Sequence, residues 1–230
     1  MNPLYLLAPL AGTVFFLIRA ELKKNFNQVY IFKPVSTLLV IAAALFAITR
    51  AGAPLNGRLP GGLPLYFFLG IVIGLVLSLG GDICLMFYGN ERAFTIGLAL
   101  FLLAQISYAA VFTAFGIFRY IDFISAGTHA AIGILTYRKM LPGLGSMKLP
   151  VLVYLVIISF MVNRAVAFIG FSGIGRAAAV FLAAGSFLFF LSDWILAYDK
   201  FVKQLAKARM SVAFYYAGQF LIALSLSYIR

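Results

Sequence analysis

The chain has 230 residues, of which 64% are apolar and 10% are charged, and its mean hydropathy is +1.06. A water-soluble domain of this length cannot carry such a composition without aggregating, so it predicts an all-α integral membrane protein with no separate soluble domain. The formal charge of +12 is then expected in loops that face anionic lipid headgroups, and no nucleic-acid partner is expected.

The chain contains one cysteine, Cys84, and one histidine, His129. A single cysteine excludes a disulfide within the chain, and this pair cannot supply the four ligands of a His/Cys zinc site. We therefore expect no metal and no cofactor. His129 is interpreted as a satisfied core residue rather than as a catalyst.

A helix that crosses a bilayer needs roughly 20 apolar residues, so the chain has room for about eight spans in a single domain, residues 1–230. The first apolar run ends directly at Arg19 with no basic segment before it, so it is predicted to be a span and not a removed signal peptide. Apolar runs bounded by charge, Gly or Pro predict eight spans, at residues 3–19, 33–50, 64–88, 93–115, 119–137, 149–169, 176–198 and 210–228.

The connections between these spans are short, and the longest irregular stretch runs from Ala51 to Gly62. The fifth span is the least apolar, because it contains Asp122, Thr128 and His129. Twelve of the 18 Lys and Arg residues fall in or beside the loops after spans one, three, five and seven. This bias predicts that those loops face the cytoplasm and that both termini lie outside. The inner (cell) membrane of a bacterium is the expected location.

Two pairs of segments indicate an internal repeat. Gly81 to Leu85 in span three resembles Ser192 to Leu196 in span seven, and Phe101 to Gln105 in span four resembles Tyr215 to Gln219 in span eight, at nearly the same offset. Repeats that are four spans apart have the same orientation. The similarity therefore predicts a parallel 4+4 duplication about an axis along the membrane normal.

Asp82 and Asp193 each lie inside a predicted span, near its end. Placing a carboxylate inside a membrane costs about 2.5–3.5 kcal/mol on insertion scales, so such residues suggest function. Because spans three and seven run the same way, the two acids are expected at one depth and in a common cavity. The alternative is that each Asp only forms hydrogen bonds between helices and serves packing.

Other polar residues are expected near the same two acids and are candidates for substrate contacts. For Lys33 and the tyrosines the alternative is anchoring at the membrane interface. Asn163 and Arg164 fall on the opposite side and are interpreted as boundary residues. The candidate binding residues are Lys33, Thr37, Asn90, Gln105, Tyr108, Ser192, Tyr215 and Gln219.

Five motifs occur in order from about residue 30 to the C-terminus. They are Lys33-Pro34-Val35-Ser36-Thr37, Gly81-Asp82, Phe101-Leu102-Leu103-Ala104-Gln105 with Tyr108, Ser192-Asp193-Trp194-Ile195-Leu196-Ala197 with Phe201, and Tyr216-Ala217-Gly218-Gln219 with Leu221-Ile222. Together they resemble the YhhN family, which includes the animal lysoplasmalogenases. In that family a histidine often stands where this chain has Gln105, and glutamine cannot carry a proton near neutral pH.

The resemblance implies an eight-span hydrolase that cleaves the vinyl ether bond of lysoplasmalogens into a fatty aldehyde and a glycerophospho-base. Cleavage begins with protonation of the alkene carbon, which needs one acid and one base. Asp82 and Asp193 are the expected pair, in either order, because two carboxyl groups in a poorly solvated pocket can share one proton. Lys33 is expected to bind the lipid phosphate, and membrane lipids are the other expected partner.

Two other functions fit the same residues. Intramembrane acids and parallel repeats also occur in proton-coupled transporters of lipids or small molecules. However, spans three and seven lack the mid-helix proline that would indicate a broken helix. The third possibility is a noncatalytic lipid-binding protein.

Overall fold

The computed structural model describes residues 2–51, 65–116, 118–170, 173–205 and 208–229. Of the predicted loop from Ala51 to Gly62, everything after Ala51 lies outside the described residues. The described parts form eight α-helices: α1 (Leu7–Leu22), α2 (Phe26–Ala51), α3 (Leu65–Leu85), α4 (Glu91–Phe115), α5 (Tyr120–Met140), α6 (Lys148–Val166), α7 (Arg176–Phe201) and α8 (Met210–Ser225).

Seven of these helices are long and apolar enough to cross a membrane. The exception is α5, where Asp122, Arg138 and Lys139 lower the apolar content. At 21 residues α5 is still about 31 Å long, and it packs along α6. The prediction of an all-α multi-pass membrane protein is confirmed. The fifth predicted span is a helix at the expected place, although its composition alone does not make it a membrane span.

The start of α2 corrects the predicted boundary at residue 33. The helix begins at Phe26, and the side chain of Asn25 accepts a hydrogen bond from the backbone N–H of Gln28 at 3.3 Å, as a helix cap does. Among residues 26–32 only Asn27 and Gln28 are polar, and the predicted limit was instead set by the charge of Lys33. Lys33 therefore lies inside the helix, beside Pro34, and does not open it.

Glycines allow two helix pairs to approach closely. In α3, a Cβ atom on Gly74 would lie 2.2 Å from the ring of Tyr108 in α4. Between α7 and α8, a Cβ atom on Gly185 would lie 2.7 Å from the carbonyl oxygen of Gly218. Small residues are the usual means by which membrane helices pack this tightly. The same two pairs, α3 with α4 and α7 with α8, carry the segments of the predicted repeat, which itself stays a prediction.

Asn163 and Arg164 are buried, which corrects their interpretation as boundary residues. The Nη1 atom of Arg164 lies 3.3 Å from Oδ2 of Asp122, and the side-chain amide of Asn163 donates to the backbone oxygen of Asp122 at 2.7 Å. The charges of Asp122 and Arg164 compensate each other, so both side chains can be buried away from water. This pair fixes the start of α5 against the end of α6.

Candidate active site

A cavity of about 310 Å³ lies at the end of the bundle where α1, α3 and α7 finish and α2, α4, α6 and α8 begin. This is the end that the loop charges predict to be cytoplasmic. Its wall is largely apolar and is formed by α4, α6 and α7, through residues that include Leu98, Phe101, Val151, Leu155, Ile158 and Phe190. Exposed polar residues, among them Asn90, Lys200 and Arg209, also line it, so the cavity opens at this face.

Asp82 lies in the wall of this cavity, near the end of α3, and is only 2% exposed. Its Oδ2 atom accepts hydrogen bonds from the hydroxyl groups of Thr37 at 2.6 Å and Tyr215 at 2.8 Å. Its Oδ1 atom lies 3.7 Å from the Nζ atom of Lys33. Residues of α2 and α8 therefore surround this carboxyl group of α3 with two hydroxyl donors and one cation.

Asp193 in α7 lines the same cavity and is half-buried. Its Oδ2 atom accepts hydrogen bonds from the Tyr154 hydroxyl at 2.5 Å and from the side-chain amide of Gln105 at 3.0 Å. The amide of Gln105 also donates to the Tyr154 hydroxyl at 2.7 Å. Among the described residues no cation forms an ion pair with Asp193.

The two aspartates therefore share a cavity but have different partners. Each carboxyl group has its hydrogen-bond and charge partners among other residues. Asp82 has a lysine and two hydroxyl groups, and Asp193 has one hydroxyl group and one amide. Such an arrangement can hold and move a proton between a carboxyl group and a molecule in the cavity.

The predicted binding residues divide into two sets. Four of them, Lys33, Asn90, Ser192 and Tyr215, line the cavity. Lys33 and Tyr215 are buried, which does not fit the alternative that they anchor the chain at the membrane interface.

The other four lie behind the cavity wall. Thr37 and Gln105 contact the carboxyl groups of Asp82 and Asp193. The Tyr108 hydroxyl donates to Oε1 of Gln219 at 2.8 Å, and the amide of Gln219 donates to Ser78 at 3.0 Å. This second network is buried and joins α4, α8 and α3, so its polar atoms satisfy each other.

Sequence reasoning missed Glu21, Tyr154 and the role of Arg209. Glu21, at the end of α1, lines the cavity, and its Oε2 atom lies 3.0 Å from Nη1 of Arg209. Tyr88 donates to Oε1 of Glu21 at 3.3 Å, and burial, together with the Glu21 carboxylate, raises the pKa of Tyr88 so that this hydroxyl stays protonated. Glu21 is one of only six acidic residues in the chain, and that scarcity is the signal that could have drawn attention to it.

Among the described residues, no three His, Cys, Asp or Glu side chains come together in a way that could hold a metal ion.

These features define a polytopic α-helical membrane protein with two carboxyl groups in a cavity at one membrane face. The sequence profile of the YhhN family matches residues 28–226, and the chain belongs to that family.

Relatives of known name are similar over part of the chain. It is 34% identical over 158 residues to lysoplasmalogenase TMEM86A from Bos taurus and 32% identical over 158 residues to the Homo sapiens protein of that name, in each case over 67% of this chain. It is 33% identical over 172 residues, or 72% of this chain, to lysoplasmalogenase TMEM86B from Rattus norvegicus. The matched regions span 64% of the length of each of these relatives. No solved structure matches the chain.

Proposed function

We propose that this protein hydrolyses the vinyl ether bond of lysoplasmalogens, with Asp193 as the acid and Asp82 as the base. The observation that carries the proposal is the pair of carboxyl groups, with different partners, in one largely apolar cavity. The names of the relatives support the substrate class. A lysolipid has one hydrocarbon chain and one polar headgroup, and this fits a cavity with an apolar wall and an opening lined by charged residues.

Asp193 is the proposed acid and Asp82 the proposed base. Lys33 lies 3.7 Å from Asp82 and two hydroxyl groups donate to it, so its negative charge is stabilised. Among the described residues Asp193 has only neutral donors, both at Oδ2. Its Oδ1 atom remains for the proton that the alkene must receive.

In the proposed reaction each aspartate transfers a proton twice, once in each direction. Asp193 protonates the alkene carbon that is not bonded to the ether oxygen, which leaves an oxocarbenium ion. Water adds to the other carbon while Asp82 takes one of its protons, and the product is a hemiacetal. Asp82 then returns its proton to the glycerol oxygen, the carbon–oxygen bond breaks, and Asp193 recovers the hemiacetal proton. The products are an aldehyde and a glycerophospho-base, and both aspartates regain their starting states.

The position of Lys33 changes the role proposed for it. Its ammonium group is already beside the base, and a phosphate bound there would bring a second anion next to Asp82. Like charges at that distance repel each other, especially away from water. We therefore assign Lys33 to holding the charge of Asp82, rather than to the lipid phosphate.

An isotope experiment tests the reaction. The purified chain is incubated with a lysoplasmalogen in heavy water, and the aldehyde is reduced at once to the alcohol so that later exchange through the enol adds no label. Protonation at the alkene carbon predicts one deuterium on the carbon next to the former carbonyl group. Unlabelled alcohol would show that the alkene is not protonated during cleavage. No aldehyde from any vinyl ether lysolipid, together with uptake of such a lipid into sealed liposomes, would favour the proton-coupled transporter.

A further inference from the structure

Glu21 and Arg209 form an ion pair at the opening of the cavity, and neither has a part in the chemistry above. Glu21 ends α1 and Arg209 precedes α8, and both line the cavity. The two side chains differ in exposure: that of Glu21 is 4% exposed and that of Arg209 is 46% exposed. The pair therefore consists of a carboxylate set into the wall and a guanidinium group that reaches into the opening.

Arg209 and Glu21 can each bind a further charged group. A guanidinium group carries five N–H donors, and the structure gives one of those of Arg209 to Glu21. Such a group binds phosphate oxygens well, because it can donate two parallel hydrogen bonds. Tyr88 also lines the cavity, and its hydroxyl group donates a hydrogen bond to Glu21. A carboxylate next to an aromatic ring is a good environment for an organic cation.

In a lysoplasmalogen the charged headgroup is separated from the bond that is cleaved. Its phosphorus atom is five bonds from the vinyl ether oxygen, and the nitrogen of an ethanolamine or choline headgroup is four bonds further on. The phosphate thus lies away from the reacting carbons and therefore away from Asp82 and Lys33. A phosphate and an ammonium group four bonds apart can meet a cation and an anion that are adjacent, as Arg209 and Glu21 are, at 3.0 Å.

We propose that the Glu21–Arg209 pair is the headgroup site and selects zwitterionic over purely anionic lysolipids. This inference rests on the proposed function. The phosphate binds Arg209, and the ammonium group takes the place of Arg209 beside Glu21. Glu21 is buried, so losing its cation without replacement would leave an uncompensated charge, which is costly. A zwitterionic headgroup supplies that replacement, whereas an anionic headgroup draws Arg209 away and supplies none.

Binding of uncleavable ligands tests the site without requiring turnover. The ligands are two saturated 1-O-alkyl lysolipids with the same chain, one with a phosphocholine and one with a free phosphate headgroup. The full chain in nonionic detergent is expected to bind the phosphocholine lipid at least about tenfold more tightly, the effect of one charge-assisted hydrogen bond. Glu21→Gln should bring the ratio of the two dissociation constants close to one. Arg209→Gln should weaken both ligands by a similar factor.

Two further variants control the experiment. Lys203→Gln removes one positive charge from an exposed residue of the same loop that is not part of the cavity wall, and it should change neither constant. Arg209→Lys keeps the charge and should retain the preference for phosphocholine, even if Arg209→Gln proves unstable.

The outcomes separate the two proposals. Equal affinity of the unaltered chain for both lipids, or a preference that survives in Glu21→Gln, would overturn the headgroup site while vinyl ether cleavage could still be measured. An unaltered chain that bound neither lipid and released no aldehyde would overturn both the headgroup site and the lysolipid function.

Discussion

The ammonium group of Lys33 lies 3.7 Å from the carboxyl group of Asp82, although Lys33 belongs to α2 and Asp82 to the end of α3. Both side chains are almost completely buried, so the charges face each other with little screening by water. Lys33 is thereby tied to one of the two aspartates and not to the opening of the cavity.

This relationship predicts the kinetic effect of Lys33→Met. The variant removes the cation that stabilises the proposed base but leaves the base itself, so kcat should fall by roughly 10–100-fold, less than on loss of an acid or base, and KM should change little. Steady-state kinetics with a lysoplasmalogen measure both parameters. Lys203→Met, on an exposed residue, should leave both unchanged. A raised KM with an unchanged kcat would instead mean that Lys33 binds the lipid phosphate.

The second prediction concerns the two aspartates themselves. Asp82→Asn and Asp193→Asn keep the shape of the side chain but cannot exchange a proton, so each should lower kcat by about 10²–10⁴-fold. The unfolding midpoint in detergent shows whether each variant is folded. Full activity of either folded variant would remove that residue from the mechanism.

Tyr154→Phe gives a third prediction. The hydroxyl group that it removes donates to Asp193 and accepts from Gln105, so Asp193 should lose orientation while keeping its ability to carry a proton. We expect kcat to fall by about tenfold, less than in the Asp193→Asn variant. Tyr137→Phe is the matched control, because that hydroxyl group donates to the backbone oxygen of Lys148 and, among the described residues, has no hydrogen bond to either aspartate. Equal losses in both variants would show that the effect is not specific to Asp193.

The fourth prediction tests the contact between α7 and α8. In Gly185→Ala the new Cβ atom would lie 2.7 Å from the carbonyl oxygen of Gly218, so the helices must separate, at a cost of about 1–3 kcal/mol in the free energy of unfolding. Gly127→Ala is the control, because a Cβ atom there meets nothing within 4 Å and alanine favours helix. A Gly185→Ala protein as stable as the control would mean that the close approach is not needed.

The fifth prediction concerns the pair at the opposite end of the bundle. Asp122→Ala leaves Arg164, which is fully buried, without its carboxylate, and should cost about 3–5 kcal/mol of stability. Removing both charges, with Asp122→Leu and Arg164→Met, should cost much less, because no unpaired charge remains. Unfolding of the single and double variants in detergent compares the two. A double variant less stable than Asp122→Ala would contradict this account.

The fold could be predicted from composition because a bilayer demands long apolar helices, and their order and approximate limits follow from where the apolar runs stop. The limits failed where a charged residue lies inside a helix, as Lys33 does in α2. Asp82 and Asp193 were identifiable because acids are rare inside apolar runs. Lys33, Thr37, Gln105 and Tyr215 were expected near the acids, but as contacts of the substrate. Their direct contacts with the acids, and the part of Tyr154, depend on how distant helices pack, which residue spacing does not reveal.

The glycine contacts have a mechanical consequence for the two carboxyl groups. Asp82 is carried by α3, which is closely packed on α4, and Asp193 by α7, which is closely packed on α8. Each aspartate therefore moves with its own helix pair. Any displacement of one pair relative to the other that widens the cavity for a lipid also changes the separation of the two acids. Under the proposed function, entry of a lipid would thus be coupled to the alignment of the two acids.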